Sequence, residues 1–246
     1  MKRKKEVVLC SAGIDSKILV SFLRRNGHDF DCVYFNHSGR YVTNEMQYLS
    51  DDVDIVTYLK LQELEEGDAF IPNRNILMAT MLVSMGYSKI WIGGSASDRV
   101  VDNNKKVFDD LSEYLTNVNG RYIKIDSPFW NVYKEDMIQW YIKNDGYSHD
   151  LVSNTFSCFN PLSAQRNIEC EISFSSFYYN TKECHNCPAC FRKNAALYSA
   201  NLFIPFHNKK IIKKYETEFR NCLVETPRTK ATLNYIEKLK DKDLYG

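Results

Sequence analysis

Residues Cys10 to Ser16 read CSAGIDS. They follow Val7-Val8-Leu9 and precede Ile18, Leu19, Phe22 and Leu23, which recur at helical spacing. An apolar run, a small-residue turn and a helical period predict strand, tight turn, helix. Gly13 is expected to take a backbone shape that a side chain resists. Ser11, Asp15 and Ser16 are small and polar, and Asp and Ser suit a helix N-cap. A turn of this kind leaves backbone N–H groups at the positive end of a helix, which is an anion site by construction.

The string is neither Gly-x-x-x-x-Gly-Lys-Ser/Thr nor Gly-x-Gly-x-x-Gly. It resembles the SGGxDS pyrophosphate loop of the N-type ATP pyrophosphatases (the PP-loop superfamily), with Ala12 where the pattern has glycine. That resemblance implies cleavage of ATP between the α and β phosphates and adenylation of an oxygen on the substrate.

Outward from the loop, the chain alternates strand and helix signals. Phe30 to Phe35 reads as a buried strand ending at Asn36-His37-Ser38-Gly39-Arg40. Ligands of doubly wound sheets sit at the carboxyl ends of strands, so Gly39 and Arg40 are placed to meet ATP or substrate. A surface turn with a solvated arginine is the alternative. A short helical piece over Thr43 to Leu49 and a strand over Val53 to Tyr58 follow. FIPNRN (70–75) leads into a helix over Ile76 to Met85, with Pro72 setting the entry and Asn73 or Asn75 as cap. Arg74 at that helix start can fork onto a carboxylate or phosphate, or form a structural ion pair.

Lys89 to Ile92 is a fourth strand, ending in Gly93-Gly94, small enough for close approach of a nucleotide. Asp98 and Asp102 lie on the following loop, where they can bind Mg²⁺, hydrogen-bond a base, or act as solvated caps. A helix over Lys105 to Leu115, a strand over Arg121 to Ile125 and a helix over Lys134 to Lys143 complete the alternation. Lys134 opens its helix at the end where the dipole disfavours a cation, which suggests an anion to meet. The order predicts a doubly wound, mostly parallel five-stranded α/β sheet with helices on both faces. A nucleotide-binding domain is expected over 1–150, and a small zinc-binding, helical region over 151–246.

Net charge is +1 over 246 residues, so no global basic field points to nucleic acid, and none is expected as partner. The basic start, Lys2 to Lys5, is read as solvating the entry to the first strand. No apolar run reaches membrane-spanning length, and neither a signal peptide nor a membrane anchor is expected. The eight cysteines are not spread like a disulfide framework, which fits a cytoplasmic protein.

Cys184, Cys187 and Cys190 lie in CHNCPAC, where three sulfurs in step suit tetrahedral Zn²⁺. Cys158, Cys170 and His185 are the candidates for a fourth ligand. Full thiolate ligation would make the metal structural rather than catalytic. An iron–sulfur cluster is the runner-up. The charged tail from Lys209 carries an apolar stripe of Tyr215, Phe219, Leu223, Leu233, Ile236 and Leu239, suited to core packing or a homodimer contact.

Taken together these segments resemble the 7-cyano-7-deazaguanine synthases, the QueC family of queuosine biosynthesis. The matching pieces stand in family order: CSAGIDS, FIPNRNILMAT, GGSASDRVVDNNKKVF, SPFWNVYKEDM, NTFSCFNP and CHNCPACFRKNAAL. Asn73 replaces a glycine, as Ala12 does, and the segment from Cys158 to Cys184 is longer than the family's. The resemblance implies ATP-dependent conversion of 7-carboxy-7-deazaguanine and ammonia to the nitrile through the amide. A relative that stops at the amide, one that adenylates another carboxylate or a macromolecule, and a non-catalytic nucleotide-binding module are the alternatives. By the same resemblance Cys10, Ser11, Ala12, Gly13, Ile14, Asp15, Ser16 and Lys17 contact ATP and Mg²⁺, with Gly39, Arg40 and Gly93 beside them. Ser11, Asp15, Ser16 and Lys134 take catalytic roles, and Arg74, Asn75, Asp98 and Asp102 hold the substrate. Cys158, Cys184, Cys187 and Cys190 bind Zn²⁺.

Overall fold

The computed structural model describes residues 5–49, 53–98, 102–172, 175–242 and 244. Lys2 to Lys4 of the basic start, and 99–101 of the loop carrying Asp98 and Asp102, lie outside the described residues. The chain divides into two compact units, Met1–Val132 and Tyr133–Gly246.

The first unit contains strands β1 (Glu6–Cys10), β2 (Phe30–Asn36), β3 (Ile55–Tyr58), β4 (Lys89–Trp91) and β5 (Lys124–Asp126). Helices α1 (Ile14–Arg25), α2 (Val42–Glu45), α3 (Arg74–Ser84) and α4 (Lys105–Asn119) connect them. The strands form one parallel sheet, as the alternating pattern predicts, and their order is β3-β2-β1-β4-β5. Parallel strands covered on both faces read as continuous apolar runs, and every residue of β2 but the last is buried. Val8 of β1 sits between Cys32 and Trp91, so β1 is central. The connection after β1 leads to one side of the sheet and that after β4 to the other. A crevice therefore opens at their carboxyl ends.

Val33, Phe35, Leu82, Tyr87, Ile90, Phe108 and Ile125 belong to the core that fixes this sheet. Helix α4 is capped by Asn104, whose Oδ1 accepts from the Val107 N–H at 3.1 Å, and stops at Gly120 with φ 61°. It is longer than its apolar period suggests. Strand β5 begins later than the sequence reading, because Arg121 turns its guanidinium onto the carbonyls of Val83, Gly86 and Tyr87 at the end of α3.

The second unit starts with α5 (Lys134–Asn144), read from sequence as part of the 1–150 domain, and α6 (Ser148–Ser153), which the sequence reading did not include. Strands β6 (Arg166–Ile172), β7 (Ser175–Thr181) and β8 (Leu202–Phe203) form an antiparallel sheet in the order β7-β6-β8. Helices α7 (Pro188–Tyr198), α8 (Lys209–Arg220) and α9 (Pro227–Asp241) complete the unit. The long segment between Cys158 and Cys184 is thus a hairpin, not a helical region. Its alternation of Ile168, Cys170 and Ile172 with Asn167, Glu169 and Glu171 is the two-residue period of a strand. Phe191 of α7 stacks on Tyr215 of α8 at 4.6 Å and lies 5.6 Å from Tyr235 of α9. Tyr215, Phe219, Ile236 and Leu239 of the tail stripe are buried. Leu223 is not, because it falls in the exposed connection between α8 and α9.

Leu82 lies fully inside the core of the first unit. Leu82→Ala is expected to destabilise that unit by about 2–5 kcal/mol in urea unfolding, and a loss well below this would contradict the packing described.

Candidate functional site

The turn after β1 is held together by its own hydroxyls. The Ser11 N–H donates to Ser16 Oγ at 3.0 Å, and the Gly13 N–H to Ser11 Oγ at 3.2 Å. Gly13 is the N-cap residue with φ −75°, an ordinary conformation, and no side chain caps α1 among the described residues. Two expectations are thereby corrected. Gly13 needs no left-handed backbone, and Asp15 and Ser16 lie inside the first helical turn. The glycine matters for space, since a Cβ there would stand 3.3 Å from Ser11 Oγ. Ala12 is buried and also outside the left-handed region, so its methyl group packs inward.

Lys17 makes the first helical bond, N–H to the Gly13 carbonyl at 3.2 Å. The amides of Ile14, Asp15 and Ser16 therefore belong to the turn for which helix geometry supplies no acceptor. Their donors and the positive end of the α1 dipole suit a phosphate group. Cys10 ends β1 and is buried beneath the turn. Gly93, after β4, approaches so closely that a Cβ would stand 3.2 Å from Asp15 Cβ and 3.6 Å from Ser16 N. A side chain at 93 would thus crowd the first turn of α1, which glycine leaves clear.

Around this turn the structure places several of the expected residues in the same unit. Asp98 Oδ2 accepts from the Ser95 N–H at 2.8 Å and from Asn103 Nδ2 at 3.0 Å, so it organises its own loop. Asp102 is 6 % exposed; its Oδ2 accepts from the Asn75 N–H at 3.4 Å, while its Oδ1 has no hydrogen-bond partner among the described residues. A buried acceptor in that state suits an N–H donor from a ligand. Arg74 opens α3 and donates from Nη1 to Tyr41 Oη at 2.6 Å. Asn73 before it has φ 57°, a left-handed conformation that asparagine tolerates best after glycine. Arg40 is tied to Glu65, with Nε 2.9 Å from Oε1 and the backbone N–H 3.2 Å from Oε2. Gly39 is confined by His37 and Glu65, where a Cβ would stand 2.7 and 2.9 Å from their side chains. Lys134 opens α5 in the second unit.

Sequence reasoning missed Glu45. This residue closes α2 and is almost wholly buried. Its Oε1 accepts from the Ala12 N–H at 3.3 Å and its Oε2 from Tyr34 Oη at 2.9 Å. Burial pushes the Glu45 carboxyl up, against the Tyr34 bond and the Arg74 charge, which act the other way. Burial, helped by Arg74, pushes His37 down to about 4, so its ring is neutral near pH 7. No feature of a single sequence marks a glutamate in a short helix as the partner of a loop more than thirty residues earlier.

The second unit carries the four-cysteine cluster. Cys158, Cys184, Cys187 and Cys190 have Sγ atoms all within 4.8 Å of one another. Cys187 and Cys190 are 3.5 Å apart, and Cys184 and Cys190 4.0 Å. A zinc ion with sulfur ligands at about 2.3 Å sets tetrahedral sulfur edges near 3.8 Å, so the cage fits it. Hydrogen bonds from neighbouring thiols push Cys184 and Cys187 down, with Cys158 the largest contributor to both. Cys170 is buried on β6 outside this group. His185 is turned away to Tyr179 Oη at 3.1 Å and Asn194 Nδ2 at 3.4 Å.

A buried ion pair joins the segments that bear the thiols. Glu183 Oε2 accepts from Lys193 Nζ at 2.9 Å, Glu183 Oε1 accepts from the Ser157 N–H at 2.6 Å, and Lys193 also donates to the Thr155 carbonyl at 2.8 Å. Glu183 precedes Cys184, Ser157 precedes Cys158, and Lys193 shares α7 with Cys190. One pair of charges thus fixes three ligand-bearing pieces.

A parallel doubly wound sheet with a strand–turn–helix at its switch point, and a four-thiol cage of a size for zinc, define the class of protein. The chain matches the family described as queuosine biosynthesis protein QueC over residues 48–201, more than half its length, and it belongs to that family. It is 21 % identical over 222 residues to 7-cyano-7-deazaguanine synthase 1 of Sulfurisphaera tokodaii, covering 82 % of this chain and 96 % of that one. It is 23 % identical over 219 residues to the 7-cyano-7-deazaguanine synthase of Rickettsia bellii, covering 72 % and 95 %. A crystal structure described as a predicted subunit of tRNA methyltransferase from Methanocaldococcus jannaschii overlaps 56 % of this chain and 75 % of that chain, with TM-score 0.41 and 16 % identity. No helix among the described residues is long and apolar enough to cross a membrane.

Elemental analysis of purified protein is expected to give about one zinc per chain. Cys158→Ser should lower zinc retention against a chelator, while Cys170→Ser should leave it unchanged; retention lost only in Cys170→Ser would move the fourth ligand to β6.

Proposed function

We propose that this protein converts 7-carboxy-7-deazaguanine and ammonia to 7-cyano-7-deazaguanine, with ATP cleaved to AMP and pyrophosphate. The reading is supported above all by the start of α1, whose first-turn amides lie at the switch point of a parallel sheet in a QueC-family chain. The names of its relatives, 7-cyano-7-deazaguanine synthases, point to the same ligase chemistry.

A carboxylate is a poor acyl donor because its oxygen leaves as oxide. Its attack on the α phosphorus of ATP expels pyrophosphate and turns that oxygen into part of a leaving AMP. Ammonia then adds to the activated carbonyl, and AMP departs to leave the amide. The amide oxygen attacks a second ATP; loss of AMP and two protons gives the nitrile. In each activation the loop amides would stabilise charge on the departing pyrophosphate. Ser11 and Ser16 would give hydroxyl donors once their mutual bond, 3.0 Å between oxygens, is exchanged for phosphate. Asp15, in the first turn of α1, would hold the Mg²⁺ that accompanies ATP. Asp102 Oδ1 would accept from a ring N–H of the deazaguanine, and Arg74 would meet its carboxylate. The thiol cage would hold Zn²⁺ as a structural ion, since four sulfur ligands leave no open position.

Protein incubated with 7-carboxy-7-deazaguanine, MgATP and ammonium should release AMP and form first the amide and then the nitrile, followed by mass. Ser16→Ala should lower the rate of AMP formation by about a hundredfold. No AMP from this carboxylate would contradict the reading, and an amide that never becomes nitrile would assign the chain to amide formation alone.

A further inference from the structure

The phosphate loop has one supporting residue that none of the foregoing roles uses. Of its first three amides, those of Ser11 and Gly13 are held by hydroxyls within the loop, whereas that of Ala12 is held by Glu45. Glu45 is 8 % exposed, and its second oxygen is anchored by Tyr34, which is itself buried on β2. Tyr34 cannot shift without disturbing a strand buried along nearly its whole length. The carboxylate is therefore tied to the sheet through one oxygen and holds the Ser11–Ala12 peptide with the other. Burial works against the ionised form of Glu45, and the Tyr34 bond and the charge of Arg74, itself bonded to Tyr41, work for it.

An acid under an anion-binding turn repels the ligand and is costly to bury. A neutral acceptor such as the loop's own serines would satisfy the same amide without that cost. What the glutamate adds is a rigid bond from a second element, α2, to the Ala12 amide, which lies between the two amides held by the loop's own hydroxyls. We propose that Glu45 is a positioning residue: by holding the Ala12 amide inward, it sets the loop so that the amides of residues 14–16 face the phosphate. This deepens the proposed function and rests on it for the identity of the ligand, but not for the existence of the brace.

The test combines amide hydrogen exchange over residues 10–17 in nucleotide-free protein with calorimetric MgATP affinity. A bond to a charged acceptor is worth about 1.5–3 kcal/mol, so Glu45→Ala should speed loop exchange and weaken MgATP by about tenfold or more. Glu45→Gln keeps an oxygen for the Ala12 N–H, and should restore both to within about threefold of the wild type. Should Glu45→Ala not fold, Glu45→Asp carries the test: it keeps the charge but withdraws the oxygen by one methylene, and loop exchange should still rise about tenfold. Wild-type exchange in Glu45→Ala or Glu45→Asp would overturn the proposal. So would MgATP binding that is unchanged or tighter in Glu45→Ala, the second result meaning that the carboxylate merely occupies the place of a phosphate. Absence of MgATP binding by the wild type would sink the proposed function instead, while the exchange data would still judge the brace.

Discussion

Backbone donors at the first turn of α1 are the constraint on which the first unit depends. Helix geometry itself assigns no acceptor to the amides of a first turn, and burying such a donor without any partner costs on the order of 1–3 kcal/mol. The turn can persist only if the chain on either side is rigid and the opening faces solvent or an anion. β1 provides the first condition, being central in the sheet with β2 and β4 as neighbours. The close passage of Gly93 beside Asp15 and Ser16 bears on the second, because a side chain there would press on the first turn of α1.

The two departures from the family's glycines follow from the same backbone. Asn73 takes the left-handed conformation at the start of α3, so a glycine-like freedom is needed there and asparagine supplies it. Ala12 does not take that conformation, and its methyl group is buried rather than set in the opening. Asn73 thus tolerates the conformation it holds, and Ala12 holds one that needs no glycine. In the second unit the constraint is different. Four thiols come together where the Glu183–Lys193 pair ties the segment after β7, α7 and the segment before Cys158 to one another. A buried pair of this kind contributes little net stability, and its use here is in setting register between pieces distant in sequence.

Much of this was legible in the amino-acid sequence. Strand, turn and helix around CSAGIDS are local patterns, and so is the alternation that built the five parallel strands. The clustering of Cys184, Cys187 and Cys190 was visible as spacing, and Cys158 as their partner came from the family resemblance. What the sequence left hidden depends on contacts between distant segments. Glu45 is ordinary in composition and becomes special only when α2 packs under the loop. The shortening of β5 came from Arg121 reaching back to the end of α3. The β6–β7 hairpin did carry a strand period, but within a segment longer than the family's, where the resemblance supplied no template. Leu223 matched a helical stripe by spacing alone, and a connection between two helices broke the register.

The central claim is that the amides opening α1 bind the phosphates of ATP. The most direct measurement is a nitrogen–proton NMR titration of the labelled protein with pyrophosphate and Mg²⁺. Saturable downfield shifts at the amides of Ile14, Asp15 and Ser16 are the predicted result. Unmoved loop amides, with shifts confined to residues elsewhere, would contradict it.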